Sequence, residues 1–188
     1  MKRVFIVHGW EGTPEKDWMP YLKHELVKRG FDAIVPRMPN TENPKMDEWV
    51  PYLNSQITNP DENTFIVAHS LGCITTLRVL EDFDDKQKIG GAIFVGGFGH
   101  DLNYKDYNGE LASFFEKPID WEKIKTRANK FVVIHSEDDE WVPVLHNKIY
   151  KDKLAAESIV LNGFGHFTAE EGSTEVPIVL QKLLEIAK

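Results

Sequence analysis

Short apolar runs alternate with amphipathic stretches along the whole chain. Residues 4–7, 33–35, 64–68, 92–95, 131–134 and 158–161 are rich in Val, Ile and Phe and show no strict polar alternation. Runs of that kind read as strands buried on both faces, as in a parallel sheet covered by helices on each side. Between them, residues 17–29 place Trp18, Tyr21, Leu22 and Leu26 at helical spacing and end at Gly30. Residues 46–57 put Met46, Trp49, Val50, Leu53 and Ile57 on one helical face, with Pro51 expected to start or bend that helix. A helix is expected from residue 70 through Leu77, Leu80 and Phe83, and another over 176–186 with Ile178, Val179, Leu183 and Ile186 inward. This order predicts a three-layer α/β sandwich of about six parallel strands joined by right-handed crossovers, in a single domain over residues 1–188. Residues 97–129 contain no strand signal; short helices are expected near 111–115 and 121–125, and the segment 103–109 before them is polar. A stretch of that length reads as a binding loop or small lid.

Composition narrows the picture. The chain has 188 residues, 41% hydrophobic and 28% charged, as in an ordinary globular domain. No run of roughly 18 apolar residues suggests a membrane span. The first apolar run is too short for a signal-peptide core, so a cytoplasmic location is expected. Cys73 is the single cysteine, which excludes an internal disulfide and a cysteine-rich zinc site. His24, His100, His135 and His146 fit no metal-binding spacing, and no glycine-rich phosphate loop occurs, so neither metal nor cofactor is expected. A net charge of −8 argues against nucleic acid or an anionic membrane as partner. Nothing in the sequence points to a protein partner.

The chemistry sits at strand ends. Ala68-His69-Ser70-Leu71-Gly72 joins the third strand to a helix and matches a nucleophile elbow, G-x-S-x-G, with Ala in first place. A sharp turn needs small neighbours and lifts the serine hydroxyl to a helix N-terminus, where negative charge is favoured. The pattern alone is weak; the strand before it and helix after it give it weight. Ser113, Ser136 and Ser158 lack that setting. An acid and then a histidine should follow in chain order. Glu137, Asp138 and Asp139 follow the fifth strand, and Asp139 is favoured by the spacing D-x-x-V-P, with Asp138 as the alternative. His166 follows the sixth strand in a loop with Gly163 and Gly165. Ser70 would attack, His166 shuttle its proton and the acid orient His166. Oxyanion donors are expected from the amides of Leu71, after the nucleophile, and Trp10, in His8-Gly9-Trp10 after the first strand. His69 and Cys73 read as structural.

These motifs, with Arg37-Met38-Pro39-Asn40 after the second strand, Phe114-Phe115, Pro118 and Trp121-Glu122-Lys123-Ile124, resemble the YdeN-like small serine hydrolases, the family of retinoblastoma-binding protein 9. The resemblance runs over nearly the whole chain and accommodates Ala68 in the elbow. It implies a minimal α/β-hydrolase fold without a large cap and Ser70, Asp139 and His166 as a triad. The expected activity is hydrolysis of a small ester, thioester or amide through an acyl-serine. The alternatives are a serine peptidase acting on short peptides and a non-catalytic interaction protein on a hydrolase scaffold. Phe114, Phe115, Trp141 and Phe167, with Phe164, are expected to shape the pocket, one of Phe114 and Phe115 facing the core and the other the site.

Overall fold

Every strand pairing in the sheet is parallel. The computed structural model describes residues 1–102 and 111–188, so the polar segment 103–109 lies outside the described residues. The strands are β1 (Arg3–Val7), β2 (Asp32–Ile34), β3 (Thr64–His69), β4 (Gly91–Val95), β5 (Phe131–Ser136) and β6 (Glu157–Leu161), in the spatial order β2-β1-β3-β4-β5-β6. Their connections carry α1 (Met19–Lys28), α2 (Met46–Gln56), α3 (Leu71–Asp82), a 3-10 turn at Ala112–Phe115, α4 (Trp121–Thr126) and α5 (Leu145–Leu154), and α6 (Pro177–Ile186) closes the chain.

Successive strand residues point to opposite faces, and each face buries its own apolar layer. Phe5, Val7, Ile66, Ala68, Phe94 and Val133 meet Trp49, Leu53, Leu77 and Tyr150 from α2, α3 and α5. Val4, Ile6, Val67, Ile93, Val95 and Ile134 meet Trp18, Met19, Leu22, Val179 and Leu183 from the α1–α6 side. Two-sided burial is why β1, β3, β4 and β5 lack polar alternation; the edge strand β6, expected to be buried on both faces, has no fully buried residue, because no strand covers its outer side.

Pro51 neither starts α2 nor ends it, since the helix runs from Met46 to Gln56 around it. Its ring is exposed, and the buried Trp49, Val50 and Leu53 hold the helix in place despite one missing amide donor. α5 is a helix absent from the sequence reading. Its inward positions are His146, Asn147, Tyr150 and Leu154, two of them polar and a third carrying a hydroxyl, so its apolar periodicity is weak. Buried Arg78 of α3 donates to the carbonyls of Phe114, Lys117 and Pro118 and pins that connecting segment to the core.

The chain turns back across β1 between β2 and β3, and sites in open parallel sheets form at the carboxyl ends of strands where order reverses. The ends of β1 and β3 lie side by side there.

Candidate active site

Ser70 sits between β3 and α3 with φ 52° and ψ −121°. A non-glycine residue in that region stores about 1–3 kcal/mol of strain. The surroundings enforce it: the Ser70 amide donates to the Val95 carbonyl at 2.9 Å, and the Cys73 amide to the Ser70 carbonyl at 2.9 Å. α3 presses so closely on the end of β1 that a Cβ at Gly72 would lie 2.6 Å from the Val7 carbonyl oxygen, so the glycine two residues past the nucleophile is a packing requirement.

His166 lies over this turn. Its Nδ1 is 2.8 Å from Asp139 Oδ2 and its Nε2 2.8 Å from Ser70 Oγ. An ionised carboxylate only accepts, so Nδ1 carries the proton and Nε2 receives the serine hydroxyl. The other oxygen of Asp139 accepts the amides of Trp141 and Val142, both at 2.8 Å, and the carboxylate is fully buried. The three residues singled out from sequence therefore meet in one hydrogen-bonded line.

Asp138 points elsewhere. It accepts the Ser136 hydroxyl and the amides of Gly163 at 2.9 Å and Gly165 at 3.4 Å, tying the end of β5 to the loop that carries His166. The Ser136 hydroxyl bond leads the effects that hold its carboxyl below the usual range.

Two further side chains grip the backbone of His166: Glu171, missed from sequence, and His69, read there as structural. Glu171 Oε2 accepts the His166 amide at 2.8 Å, and the same oxygen takes the Thr168 amide and hydroxyl. The only sequence signal for Glu171 is an acid five residues past the histidine. His69 Nε2 donates to the His166 carbonyl at 2.8 Å. Burial drives the His69 pKa down to about 3, so the ring is neutral.

Ser70 and His166 open into a cavity of about 400 Å3 that Trp10 and Leu71 also line. Phe98, Leu102, Leu111, Trp141 and Val142 give it apolar lining, and Lys16, Asp17, Thr168 and Glu170 give it polar lining. Trp141, expected at the pocket, is among the residues that line this cavity. The other expected pocket residues are not. Phe114 is wholly buried and meets Trp49 edge-on at 6.4 Å, because its position in the 3-10 turn faces α2. Phe115 is half-buried behind the wall and packs on Phe98 at 5.9 Å. Phe167 turns inward with φ 60°, joins the core on the α1–α6 side and stacks with Phe164 at 5.6 Å; neither of these two lines the cavity.

The aromatic wall comes instead from Phe98, on a loop fixed at three consecutive residues. His135 Nε2 donates to the Gly97 carbonyl at 2.8 Å, the Tyr150 hydroxyl to the Phe98 carbonyl at 3.1 Å, and the Gly99 amide to His146 Nδ1 at 3.1 Å. Burial pushes His135 and His146 down to about 4, which keeps His146 an acceptor. Among the described residues, no group of three or more His, Cys, Asp or Glu is placed to hold a metal ion, and no helix is long and apolar enough to cross a membrane.

A six-stranded parallel sheet in this order, with a strained serine at the end of its third strand, defines an α/β-hydrolase. The chain belongs to the serine hydrolase family, whose profile, described as "Serine hydrolase", matches residues 4–185. It is 35% identical over 182 residues to YdeN of Bacillus subtilis (strain 168), covering 97% of this chain and 94% of that protein. It is 27% identical over 176 residues to the serine hydrolase RBBP9 of Rattus norvegicus, covering 94% of this chain and 87% of that one. The crystal structure of the ydeN gene product from B. subtilis superposes with a TM-score of 0.93 at 34% identity, over 99% of this chain and 98% of that one. Est1E from Butyrivibrio proteoclasticus shares the fold at a TM-score of 0.74 and 15% identity, over 98% of this chain and 88% of its own.

Proposed function

We propose that this serine hydrolase cleaves small esters, thioesters or amides through an acyl-serine formed on Ser70, with His166 as general base and acid and Asp139 as its orienting partner. The observation that carries the reading is the unbroken line from Ser70 Oγ to His166 Nε2, and from His166 Nδ1 to Asp139 Oδ2, each step 2.8 Å. Ser70 Oγ attacks the acyl carbon and its proton passes to His166 Nε2. The tetrahedral intermediate collapses, and the leaving group departs with that proton. Water then attacks the acyl-serine, gives a proton to His166, and the acid leaves as Ser70 regains its hydrogen. Asp139 stabilises the imidazolium formed at each attack.

The amides of Leu71 and Trp10 receive the oxyanion. Leu71 is the first residue of α3, where the opening amides have no acceptor within the helix, and both residues border the cavity beside Ser70. The apolar wall suits an acyl group, and a volume near 400 Å3 favours short or single-ring ones.

Treatment with a fluorophosphonate followed by mass spectrometry tests the assignment. The adduct should fall on Ser70, and Ser70→Ala should abolish both labelling and turnover of p-nitrophenyl esters. An adduct on Ser136 with Ser70 untouched would refute it. A panel of p-nitrophenyl esters and aminoacyl amides then ranks ester against amide.

A further inference from the structure

We infer that His8 is a positioning residue for the oxyanion hole: its ring holds the Gly9–Trp10 peptide by the carbonyl, and so aims the Trp10 amide at the other end of that peptide toward Ser70. The inference rests on the triad reading above and adds to it a residue that does not touch the substrate.

His8 follows β1 directly and is completely buried. Its Nε2 lies 3.2 Å from the Met38 amide, and its Nδ1 2.9 Å from the Gly9 carbonyl oxygen. A backbone amide can only donate, so Nε2 must be the bare nitrogen and the ring proton must sit on Nδ1. Nδ1–H therefore donates to the Gly9 carbonyl. Burial, which lowers the pKa of His8, favours the neutral ring that this arrangement needs. The ring also stands edge-on to Trp49 at 5.9 Å and 84°, which leaves it little freedom to turn.

The Gly9 carbonyl and the Trp10 N–H belong to one planar trans peptide and point in opposite directions. Fixing one fixes the other. The same carbonyl also accepts the Gly12 amide at 3.1 Å. Two donors on one carbonyl polarise the peptide and strengthen the N–H at its far end. The peptide starts beside the nucleophile: a Cβ on Gly9 would lie 2.8 Å from Ser70 Cβ and 3.3 Å from Ser70 Oγ. The Met38 contact ties this arrangement to the Arg37-Met38-Pro39-Asn40 loop, giving that motif a task at the site. The same loop region supplies the Thr41 carbonyl to the Glu11 amide and the Glu42 carbonyl to Trp10 Nε1.

Two substitutions separate the two ring nitrogens. In His8→Asn the side-chain amide reaches the place of Nδ1 and can still donate to Gly9. In His8→Gln it reaches the place of Nε2 and leaves the Gly9 carbonyl without its side-chain donor, with the Gly12 amide alone on it. An oxyanion contact acts in the transition state, so its misalignment lowers kcat and spares KM. With p-nitrophenyl acetate, His8→Gln should lose about ten- to a hundredfold in kcat with KM within about twofold, a share of the roughly 10²–10³ lost when such a donor is removed outright. His8→Asn should recover most of that loss. Equal losses in the two variants, a loss carried by KM, or wild-type kcat in His8→Gln would each overturn the inference. Nitrogen-15 NMR of histidine-labelled wild type needs no variant to fold: His8 should be the neutral Nδ1–H tautomer at pH 7, and an Nε2–H tautomer or a charged ring overturns the inference. A wild type that fails to label at Ser70 would instead refute the triad reading; labelled wild type with equal His8 variants refutes only the role of His8.

Discussion

Asp138 and Asp139 are adjacent in the chain, yet one carboxylate holds the loop that carries His166 and the other holds the His166 ring. The split follows from burial. Asp139 turns inward, where the Trp141 and Val142 amides satisfy the oxygen that His166 does not use, while Asp138 stays at the surface over Gly163. Asp139→Asn should therefore lower kcat by about 10⁴-fold, as loss of a triad aspartate does, because an amide favours the wrong imidazole tautomer. Asp138→Asn should cost far less activity. Steady-state kinetics on both variants, with circular dichroism to confirm the fold, checks the ranking; a reversed order would transfer the orienting role to Asp138.

Glu171 holds His166 by its backbone rather than its ring. Glu171→Gln keeps the shape, and its carbonyl oxygen can take the place of Oε2, but it exchanges a charged acceptor for a neutral one. Charge-assisted bonds are roughly twice as strong as neutral ones, so the loop should loosen and kcat should fall by about tenfold. Because Glu171 is exposed, the melting temperature should move little. A melting temperature that drops while kcat in the folded enzyme stays at the wild-type value would show that the clamp supports the fold and not the reaction.

The buried neutral histidines make the protein sensitive to mild acid. His69, His135 and His146 have pKa values pushed from 6.5 down to about 3, 4 and 4 by burial. Below pH 6.5 the unfolded chain takes up protons that the folded one refuses, so the stability these residues contribute is complete above that pH. It is lost as pH falls through the window from 6.5 to about 4 and, for His69, to about 3. Each histidine adds a slope of up to about 1.4 kcal/mol per pH unit. Urea unfolding at pH 7.5, 6.5, 5.5 and 4.5 should show this decline beginning near pH 6.5. His146→Gln, which retains an acceptor, should make it shallower; an unchanged slope would remove His146 from the account.

What was legible in the sequence was whatever rests on apolar runs or on a turn with strict steric needs. Strand runs buried on both faces produce unbroken Val, Ile and Phe, and Gly72 is dictated by contact with β1, so the sheet and the elbow were legible, while the order serine, acid, histidine left Asp138 open beside Asp139. Residues that act through polar contacts between distant segments were not legible. α5 was missed because its buried face is His146, Asn147 and Tyr150, which belong inside only because Gly99, Ile159 and Phe98 offer them partners. Glu171 and His69 grip a backbone, and nothing local announces a backbone bond. Phe114, Phe115 and Phe167 were misassigned because aromatic residues near a site look alike in sequence, and burial alone tells lining from core.

That distinction sets the last prediction. Phe98 forms the wall, and its backbone is anchored by His135, Tyr150 and His146, so the ring cannot retreat from a larger acyl group. Wild type should be fastest on short or single-ring acyl groups. Phe98→Ala opens space in the apolar lining of the cavity and should shift the preference toward bulkier chains while Ser70 still labels. Phe115 only backs Phe98, so Phe115→Ala should produce a weaker shift of the same sign. Phe114 faces Trp49 in the core, and Phe114→Ala should cost about 3–5 kcal/mol of stability with the acyl preference unchanged. A p-nitrophenyl series from acetate to palmitate, run on the four proteins beside urea melts, measures both effects at once. If Phe114→Ala shifts the preference and Phe98→Ala does not, the wall has been assigned to the wrong ring. If wild type is fastest on palmitate, the cavity must open well beyond 400 Å3 during turnover and the small-acyl reading fails.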